Sequence, residues 1–366
     1  MFRYIGLLLI VLIFTGCTSI SEPQGKSPSG EGDVKIGSPA THGNLTIFPL
    51  YLSSYEETGK NYVTLEETLA QKQVEVREVS SSNNNEQQVE ETNSPVPSQR
   101  QEQVLQQGDG ATVNAVSIEN KSKQPLYILA GQVIVGGKQD RVITKDTIVP
   151  PGQKIQVEVC CVEHGRWSPR ENSVAGGGLC FAAALESNTQ GSIRKIAQEK
   201  GESGQSEVWE EVAKSAKNLD AETSTGTYKQ VVEKTQQKLE GYMKTFGSFE
   251  KDNKICGFVS CINGEVDSCD LFACPSLLAK FRKSLLRGYA LDALNAEEAT
   301  SGKKATSVDI EKFLKETESA KSNTEKLAED KHRRVEKRES EKIIGFDNAA
   351  KCGKASMSIH KNYYKK

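Results

Sequence analysis

Short apolar segments separated by turn residues, within residues 126–167, restrict the folds open to this chain more than any other feature. Two of these segments end at glycine or proline turns, at Gly136-Gly137 and at 150–152. Residues 154–162 follow, and 154–159 alternate strictly between polar and apolar side chains. Period-two alternation in short segments is typical of antiparallel strands that bury one face. We therefore expect a sheet at the centre of the fold.

Helical periodicity appears after these strands. Residues 207–219 and 228–243 each carry one apolar stripe, and Pro275 opens a third helix that extends to about residue 294. Proline is favoured at the first helical position because its missing N–H would have no partner there. The expected fold is therefore α+β, a mostly antiparallel sheet or β-sandwich with these helices packed on it.

The N-terminal residues 1–17 have the features of an export signal: a basic residue, a short apolar run and small residues before a cysteine. Thr15-Gly16-Cys17 resembles the processing site of bacterial lipoproteins, which implies a lipid on Cys17. An uncleaved anchor is the less favoured alternative, because a spanning helix needs ~20 apolar residues. We expect anchoring in the cell envelope. In a cell with two membranes the outer one is favoured, because Thr18 is not an aspartate retention signal.

Composition divides the rest of the chain. Residues 18–44 are rich in Ser, Gly and Pro and are expected to form a flexible tether. Residues 45–295 are the predicted α+β domain. The polar residues 80–110 are expected to be a disordered insert in that domain, or a linker between two domains. Residues 296–342 are predicted to be a charged helical region, and 343–366 a last strand followed by a basic tail.

Charge and histidine content exclude some partners. The formal net charge of −2 gives no general attraction to nucleic acid, so none is expected as a partner. The four histidines stand at positions 42, 164, 332 and 360, and two of these fall in the predicted tether and charged region. A three-histidine metal site is therefore not expected. We predict no metal and no cofactor.

Eight cysteines besides Cys17 permit disulfides in an exported chain. A hairpin is predicted over 254–272, and its Asn263-Gly264 turn would place Cys261 opposite Val266. A loop centred at Glu265 would instead bring cysteines 256 and 274, and cysteines 261 and 269, opposite each other. We favour the Asn-Gly turn; a 269–274 or a non-local disulfide remains open.

Polar and aromatic side chains follow the ends of two predicted strands. If the segments 135–141 and 161–167 lie side by side, these side chains form one cluster. Its members are Gln139, Asp140, Arg141, Glu163, His164, Arg166 and Trp167. Arginine binds phosphate or carboxylate in bidentate fashion, tryptophan offers a stacking face, and glutamate or histidine can act as a general base. The cluster is therefore the predicted ligand site.

The same residues also fit a purely structural interpretation. Asp140 or Glu163 would then pair with Arg141 and Arg166 in an internal salt-bridge network. Cys161 would be a nucleophile if its neighbours lowered the pKa of its thiol, but its inward face favours a packed side chain. The sequence leaves these alternatives open.

Four further residues are structural candidates beside the cluster. Gly136 and Gly137 permit positive φ angles or a close approach of the backbone. Glu207 and Trp209 either close over the cluster from their helix, or serve as a cap charge and a core aromatic residue.

Seven motifs, taken together, resemble one known family. They are Leu129-Ala-Gly-Gln-Val-Ile-Val-Gly-Gly-Lys-Gln-Asp-Arg141, Val149-Pro-Pro151, Cys161-Val-Glu-His-Gly-Arg-Trp167, Glu207-Val-Trp209, Asn263-Gly264, Asp270-Leu-Phe272 and Leu285-Leu-Arg-Gly-Tyr289. They are similar to the bacterial and archaeal family named for its association with ADP-ribosylglycohydrolases and rhodanese-phosphatases. The resemblance covers most of 45–295. It implies a link to nucleotide or ADP-ribose metabolism, and so a small phosphate-bearing ligand as a candidate partner.

Two functions are carried forward. The favoured one is a membrane-anchored binding or assembly module without enzymatic activity. The alternative is a hydrolase or ligand-binding enzyme that acts on a phosphate-bearing, nucleotide-like molecule. The enzyme requires Glu163, His164 or Cys161 within reach of one another in an open pocket. The structural network requires paired, shielded arginines.

Overall fold

The computed structural model describes residues 33–80, 111–170, 173–175, 178–296, 302–323, 333–352 and 355–366. The predicted export signal with Cys17, most of the tether and nearly all of the 80–110 insert lie outside these ranges. No helix within the described ranges is long and apolar enough to cross a membrane.

Six α-helices lie in the described ranges. They are α1 (Leu65–Ala70), α2 (Gly191–Lys200), α3 (Gln205–Asn218), α4 (Tyr228–Glu250), α5 (Pro275–Asn295) and α6 (Ser307–Ser319). The helices predicted from periodicity correspond to α3, α4 and α5. Pro275 is at the start of α5, as its missing N–H favours.

The strands fall into four groups along the chain, separated by these helices. They are β1 (Val34–Ile36), β2 (Ala40–His42), β3 (Leu45–Leu52), β4 (Val63–Thr64), β5 (Val74–Ser80), β6 (Ala111–Asn120), β7 (Leu126–Ile128), β8 (Val133–Gly136), β9 (Arg141–Ile143), β10 (Thr147–Val149), β11 (Lys154–Cys161), β12 (Val174–Ala175), β13 (Gly178–Leu179), β14 (Phe181–Ala184), β15 (Gly257–Ile262), β16 (Glu265–Phe272), β17 (Lys321–Asn323), β18 (Arg333–Glu339), β19 (Ile343–Cys352) and β20 (Ala355–Lys365).

Two large antiparallel sheets dominate the fold, which confirms the predicted α+β class. The nine-stranded sheet runs β1-β3-β15-β16-β20-β19-β18-β17, and β2 also pairs with β3. The six-stranded sheet runs β14-β8-β9-β11-β6-β5, and a bridge between Arg77 and Cys180 nearly closes it into a barrel. Smaller sheets are formed by β10-β7-β4 and by β12-β13.

The helices pack on the nine-stranded sheet through the largest apolar cluster. Phe258 and Phe272 of the sheet meet Phe246 of α4 and Phe281 of α5, all at most 1% exposed. Burial of an aromatic side chain contributes about 3 kcal/mol each, so this layer is a major source of stability. A second cluster, which includes Val157 of β11, fills the near-barrel.

The β15–β16 hairpin has the predicted turn. Asn263 and Gly264 have φ angles of 53° and 78°, the left-handed region that a two-residue hairpin turn requires. Cys261 faces Val266, as the turn predicted. Seven cysteines of the described residues form no disulfide with one another; they stand at positions 160, 161, 180, 256, 261, 269 and 274. The disulfides that the cysteine count permits are therefore not formed among them.

Three predicted segments differ from the structure. The charged helix expected up to residue 342 contains α6, but β17 and β18 follow it. Arg338 pairs across the sheet with Asp347 at 2.6 Å, so charged side chains are satisfied on a strand. The end of the predicted tether contains β1 and β2, which pair with β3. The predicted basic tail is part of β20, whose Tyr363 and Tyr364 are buried.

Candidate functional site

The predicted cluster forms where β8, β9 and β11 end in the six-stranded sheet. Cys161 pairs with Arg141, so the two strand ends lie side by side, which is the condition that the predicted cluster required. Gly136 and Gly137 have φ angles of 145° and 51°. A Cβ atom on Gly136 would lie 2.7 Å from the carbonyl oxygen of Cys180. The glycine pair therefore provides both positive φ and close backbone approach.

Two buried carboxylates and two arginines form the centre of the cluster. Arg166 Nη2 lies 2.7 Å from Glu163 and 3.4 Å from Asp140. Arg170 Nη2 lies 2.7 Å from Asp140 and 3.3 Å from Glu163. Asp140 also accepts a hydrogen bond from the Thr227 hydroxyl at 3.1 Å. The four charged groups, which we call the strand-end network, sum to zero and satisfy one another.

Backbone carbonyls occupy the remaining donors of Arg166. Its Nη1 donates to the carbonyl oxygens of Gly137 and Ser168 at 2.8 and 2.5 Å, and its Nη2 donates to Gly136 at 3.2 Å. All three guanidinium nitrogens are thus engaged within the protein. Arg166 holds the glycine turn in place, and a phosphate ligand would have to displace these bonds.

The network keeps Glu163 ionised although only 1% of the residue is exposed. Burial alone would raise the pKa of Glu163. The hydrogen bond and charge of Arg166, with the Asp140 N–H and the charge of Arg170, outweigh burial and lower that pKa. Glu163 is therefore an ionised carboxylate that is paired within the protein, and this environment does not suit a general base.

Arg141 has different partners from those predicted. Its Nη1 donates to the Gln139 carbonyl oxygen at 2.9 Å, and its Nη2 lies 3.7 Å from Glu78. The guanidinium is 2% exposed. The predicted pairing of Arg141 with Asp140 or Glu163 is thus replaced by a pairing with β5, because Arg170 takes the carboxylates instead.

Cys161 is a packed thiol. It is fully buried, and burial raises the pKa of its thiol despite the charge of Arg141. Gln205 of α3 accepts a hydrogen bond from the Cys161 N–H at 2.7 Å and donates to its carbonyl oxygen at 2.9 Å. A thiol held as the neutral form is a poor nucleophile, so the inward-facing interpretation is the one that the geometry favours.

The remaining candidates surround the network without joining its ion pairs. Gln139 donates to the His164 carbonyl oxygen at 3.2 Å. Trp167 is 52% exposed, and the Lys138 ammonium group lies 5.0 Å from its ring centre. Glu207 forms an ion pair at 2.6 Å with Lys200 on the surface.

An open groove adjoins the network on the side of α3. Its volume is about 490 Å³. The His164 and Trp209 rings meet edge to face there, with centres 4.5 Å apart. The groove is lined by His164, Gly165, Ser206, Trp209, Glu210, Ala213, Thr223, Ser224, Thr225 and Gly226. We refer to it as the His164–Trp209 groove.

The strand-end network shapes this groove. Thr227 ends the loop 223–227 and is bound to Asp140, and its backbone forms a bridge with Glu163. The Gly165 N–H donates to the Thr225 carbonyl oxygen at 2.8 Å. A Cβ atom on Gly165 would lie 2.8 Å from the carbonyl oxygen of Ser224, so only glycine allows this approach of the two loops.

The sequence interpretation missed Arg170 and Thr227. Arg170 lies seven positions after Glu163 in a segment without regular structure, and Thr227 lies 87 positions after Asp140. The sequence carried no signal for Arg170, because the two predicted carboxylates, Asp140 and Glu163, were already matched in number by Arg141 and Arg166. No local pattern indicated Thr227, whose recognisable role was as the N-cap of α4.

A second buried charged cluster was also missed, and we call it the His360 network. His360 of β20 lies 2.6 Å from Asp146 and 2.9 Å from Asp270 of β16. Arg194 of α2 donates to both oxygens of Asp270 at 2.8 Å. Asp146 further accepts from the Tyr127 hydroxyl of β7 at 2.5 Å. The network therefore joins both β7 and α2 to the nine-stranded sheet.

Charge balance requires His360 to be protonated. Both of its ring nitrogens face carboxylate oxygens, which only accept hydrogen bonds, so both nitrogens carry hydrogen. Burial would lower the pKa of His360, but the charge of Asp146 and hydrogen bonds to Asp146 and Asp270 raise it to about 9. With Arg194, the two cations then balance the two buried carboxylates.

We predict that stability depends on pH through this network. The raised pKa of His360 contributes stability that is fully present below about pH 6.5 and is lost as pH rises through about 9. The pKa values of Asp146 and Asp270 are lowered, so their contribution is present above about pH 4 and is lost in acid. The free energy of unfolding, measured with urea, should therefore fall by about 3 kcal/mol between pH 6 and 10.

The control for this prediction is His360→Gln. The variant should be less stable at pH 6, and its stability should fall less steeply between pH 6 and 10. An equal slope in the variant would show that His360 is not the group responsible.

Among the described residues, no cluster of three or more His, Cys, Asp or Glu side chains is arranged to hold a metal ion.

Comparison with known proteins identifies the family of this chain but no individual relative. No curated protein and no solved structure matches it significantly. Residues 33–357 match the ARG and Rhodanese-Phosphatase-superfamily-associated Protein domain. The match includes the strand-end network, the groove and the first three residues of β20, so the resemblance inferred from the motifs is confirmed and extends beyond 45–295. The chain belongs to the ARG and Rhodanese-Phosphatase-superfamily-associated Protein family.

Proposed function

We propose that this protein is a lipid-anchored binding module of the cell envelope, without enzymatic activity, that holds its ligand in the His164–Trp209 groove. The observation that carries the proposal is the mutual neutralisation of Asp140, Glu163, Arg166 and Arg170 at 2.7 to 3.4 Å. Charges committed to one another are not available to bind or polarise a substrate. The groove beside them is open and has free polar side chains.

The alternative, a hydrolase of phosphate-bearing or nucleotide-like molecules, has less support. It requires Glu163, His164 or Cys161 within reach of one another in an open pocket. Glu163 and Cys161 are 1% and 0% exposed, whereas His164 opens on the groove. The family's association with ADP-ribose metabolism is the reason to keep this alternative in the test.

The anchor is proposed from the sequence of residues 1–17. A lipid on Cys17 would place the domain outside the cytoplasm, on the outer membrane where a cell has two. Labelling by [3H]palmitate should depend on Cys17, and labelling retained in Cys17→Ser would refute the anchor.

A thermal-shift screen of the intact chain in detergent tests the binding module. The panel contains neutral oligosaccharides, dipeptides, nucleotides, ADP-ribose and divalent metals. We expect a stabilising ligand that the Trp209→Ala variant no longer binds; at one hundred times its Kd it would stabilise by about 2.7 kcal/mol. Mass spectrometry should recover that ligand unchanged. Turnover by the wild type that His164→Asn or Cys161→Ser abolishes would establish the enzyme instead.

A further inference from the structure

We infer that the His164–Trp209 groove binds a neutral saccharide through the Trp209 ring and the free hydroxyl groups of its rim. The inference rests on the proposed function and specifies its ligand. It follows from which charges line the groove, which polar groups are unpaired, and how the aromatic rings are placed.

The charge of the lining excludes anionic ligands. Glu210 is the one acidic side chain, and neither lysine nor arginine lines the groove. The guanidinium groups of Arg166 and Arg170 are committed to Glu163 and Asp140. A phosphate or nucleotide would therefore meet a carboxylate without a compensating cation, which is unfavourable in a partly enclosed site.

The polar groups of the rim are suited to hydroxyl-rich molecules. The Ser206, Ser224 and Thr225 hydroxyls and the Glu210 carboxylate line the groove. Within the described chain these side chains have no hydrogen-bond or ion-pair partner. Serine and threonine hydroxyls both donate and accept, as sugar hydroxyls do, and a carboxylate accepts from them. A cationic ligand would leave the hydroxyl donors unmatched.

The aromatic pair provides the apolar part of the site. His164 and Trp209 meet at 90°, so an edge of one ring faces the plane of the other. The flat C–H face of a sugar ring packs on an indole in the same way that apolar groups cover aromatic faces. The groove volume of about 490 Å³ lies in the range of small-molecule sites and accommodates more than one sugar ring.

The same lining favours binding over cleavage. Hydrolysis of a glycosidic bond generally uses a pair of carboxyl groups on opposite sides of the bond. Glu210 is the single carboxylate in the groove, and Glu163 is buried in its ion pairs. The saccharide is therefore expected to leave the site intact.

The two tryptophans of the chain, Trp167 and Trp209, allow a site-specific test. In Trp167→Phe only the groove tryptophan emits, and in Trp209→Phe only the exposed surface tryptophan does. Both variants of the intact chain are titrated in detergent with the trimer of N-acetylglucosamine and with cellotriose. We expect a saturable change in emission from Trp167→Phe with at least one trisaccharide, and none from Trp209→Phe.

Substitutions of two neighbouring carboxylates on α3 provide the matched control in the Trp167→Phe background. Glu210→Gln should weaken binding about tenfold, since it replaces a charged acceptor. Glu211→Gln is on the same helix but outside the groove lining, where Glu211 lies 3.6 Å from Lys214, and should bind as before. Equal affinities of the two variants would contradict the assignment of Glu210 to the site.

The remaining outcomes separate this inference from the proposed function. No change in Trp209 emission with either trisaccharide would overturn the saccharide inference. If Trp209 emission changed with ADP-ribose or a dipeptide instead, the proposed binding function would be retained and its ligand would belong to another class. Shortened oligosaccharides in the mixture would overturn both, because the site would then be catalytic.

Discussion

Asp270→Asn should lower the free energy of unfolding by about 3 to 5 kcal/mol, the range for removing one partner of a buried ion pair. Asp270 is fully buried and accepts hydrogen bonds from Arg194, His360 and Tyr289. The amide would leave two buried cations with the single carboxylate of Asp146. It would also turn an N–H group toward one of the donors that Asp270 now accepts.

Urea unfolding at pH 6 measures this change, with Glu265→Gln as the control. Glu265 lies on the surface between Lys303 and Lys365, and its exposed ion pairs are worth at most about 1 kcal/mol. A loss of less than 1 kcal/mol in Asp270→Asn would mean that the His360 network does not join the sheets energetically.

Asp140→Ala should cost about 3 kcal/mol or more, the lower end of the same range because Arg170 is partly exposed. The substitution removes the anion shared by Arg166 and Arg170, and it leaves the Gly136 N–H and the Thr227 hydroxyl without their acceptor. The glycine turn and the loop 223–227 would lose a common attachment.

Chemical unfolding, with Glu207→Gln as the matched surface control, gives the size of this effect. Glu207 also pairs with a cation, Lys200, but is 44% exposed. A stable Asp140→Ala variant, unchanged within the error of the control, would show that the strand-end network is not structural. Its arginines would then be available for a ligand.

Local signals predicted the features that depend on near neighbours in sequence. The alternation of 154–162 identified β11, and the Asn263-Gly264 pair fixed the hairpin register. The proximity of the two strand ends was a condition of the predicted cluster, and the pairing of Arg141 with Cys161 across adjacent strands meets it. The alternative of a structural network for Glu163 and Arg166 was also visible in the sequence.

Long-range partners were beyond such rules. His360 meets Asp146 from 214 positions away, and no local pattern links the two. Helix α2 carries buried Arg194 and Gln198 on its inner face, so its polar contacts concealed it from a search for an apolar stripe. Strand β18 was taken for a helix because its charged side chains find partners across the sheet, which composition alone does not reveal.

The central claim is that the charges of the strand-end network neutralise one another and not an anionic ligand. Calorimetric titration of the intact chain with ADP-ribose tests it most directly, alongside Arg166→Met and Arg170→Met variants that circular dichroism shows to be folded. We expect no saturable heat with the wild type at millimolar ADP-ribose. Saturable binding to the wild type that either variant loses would contradict the claim and identify the network as an anion site.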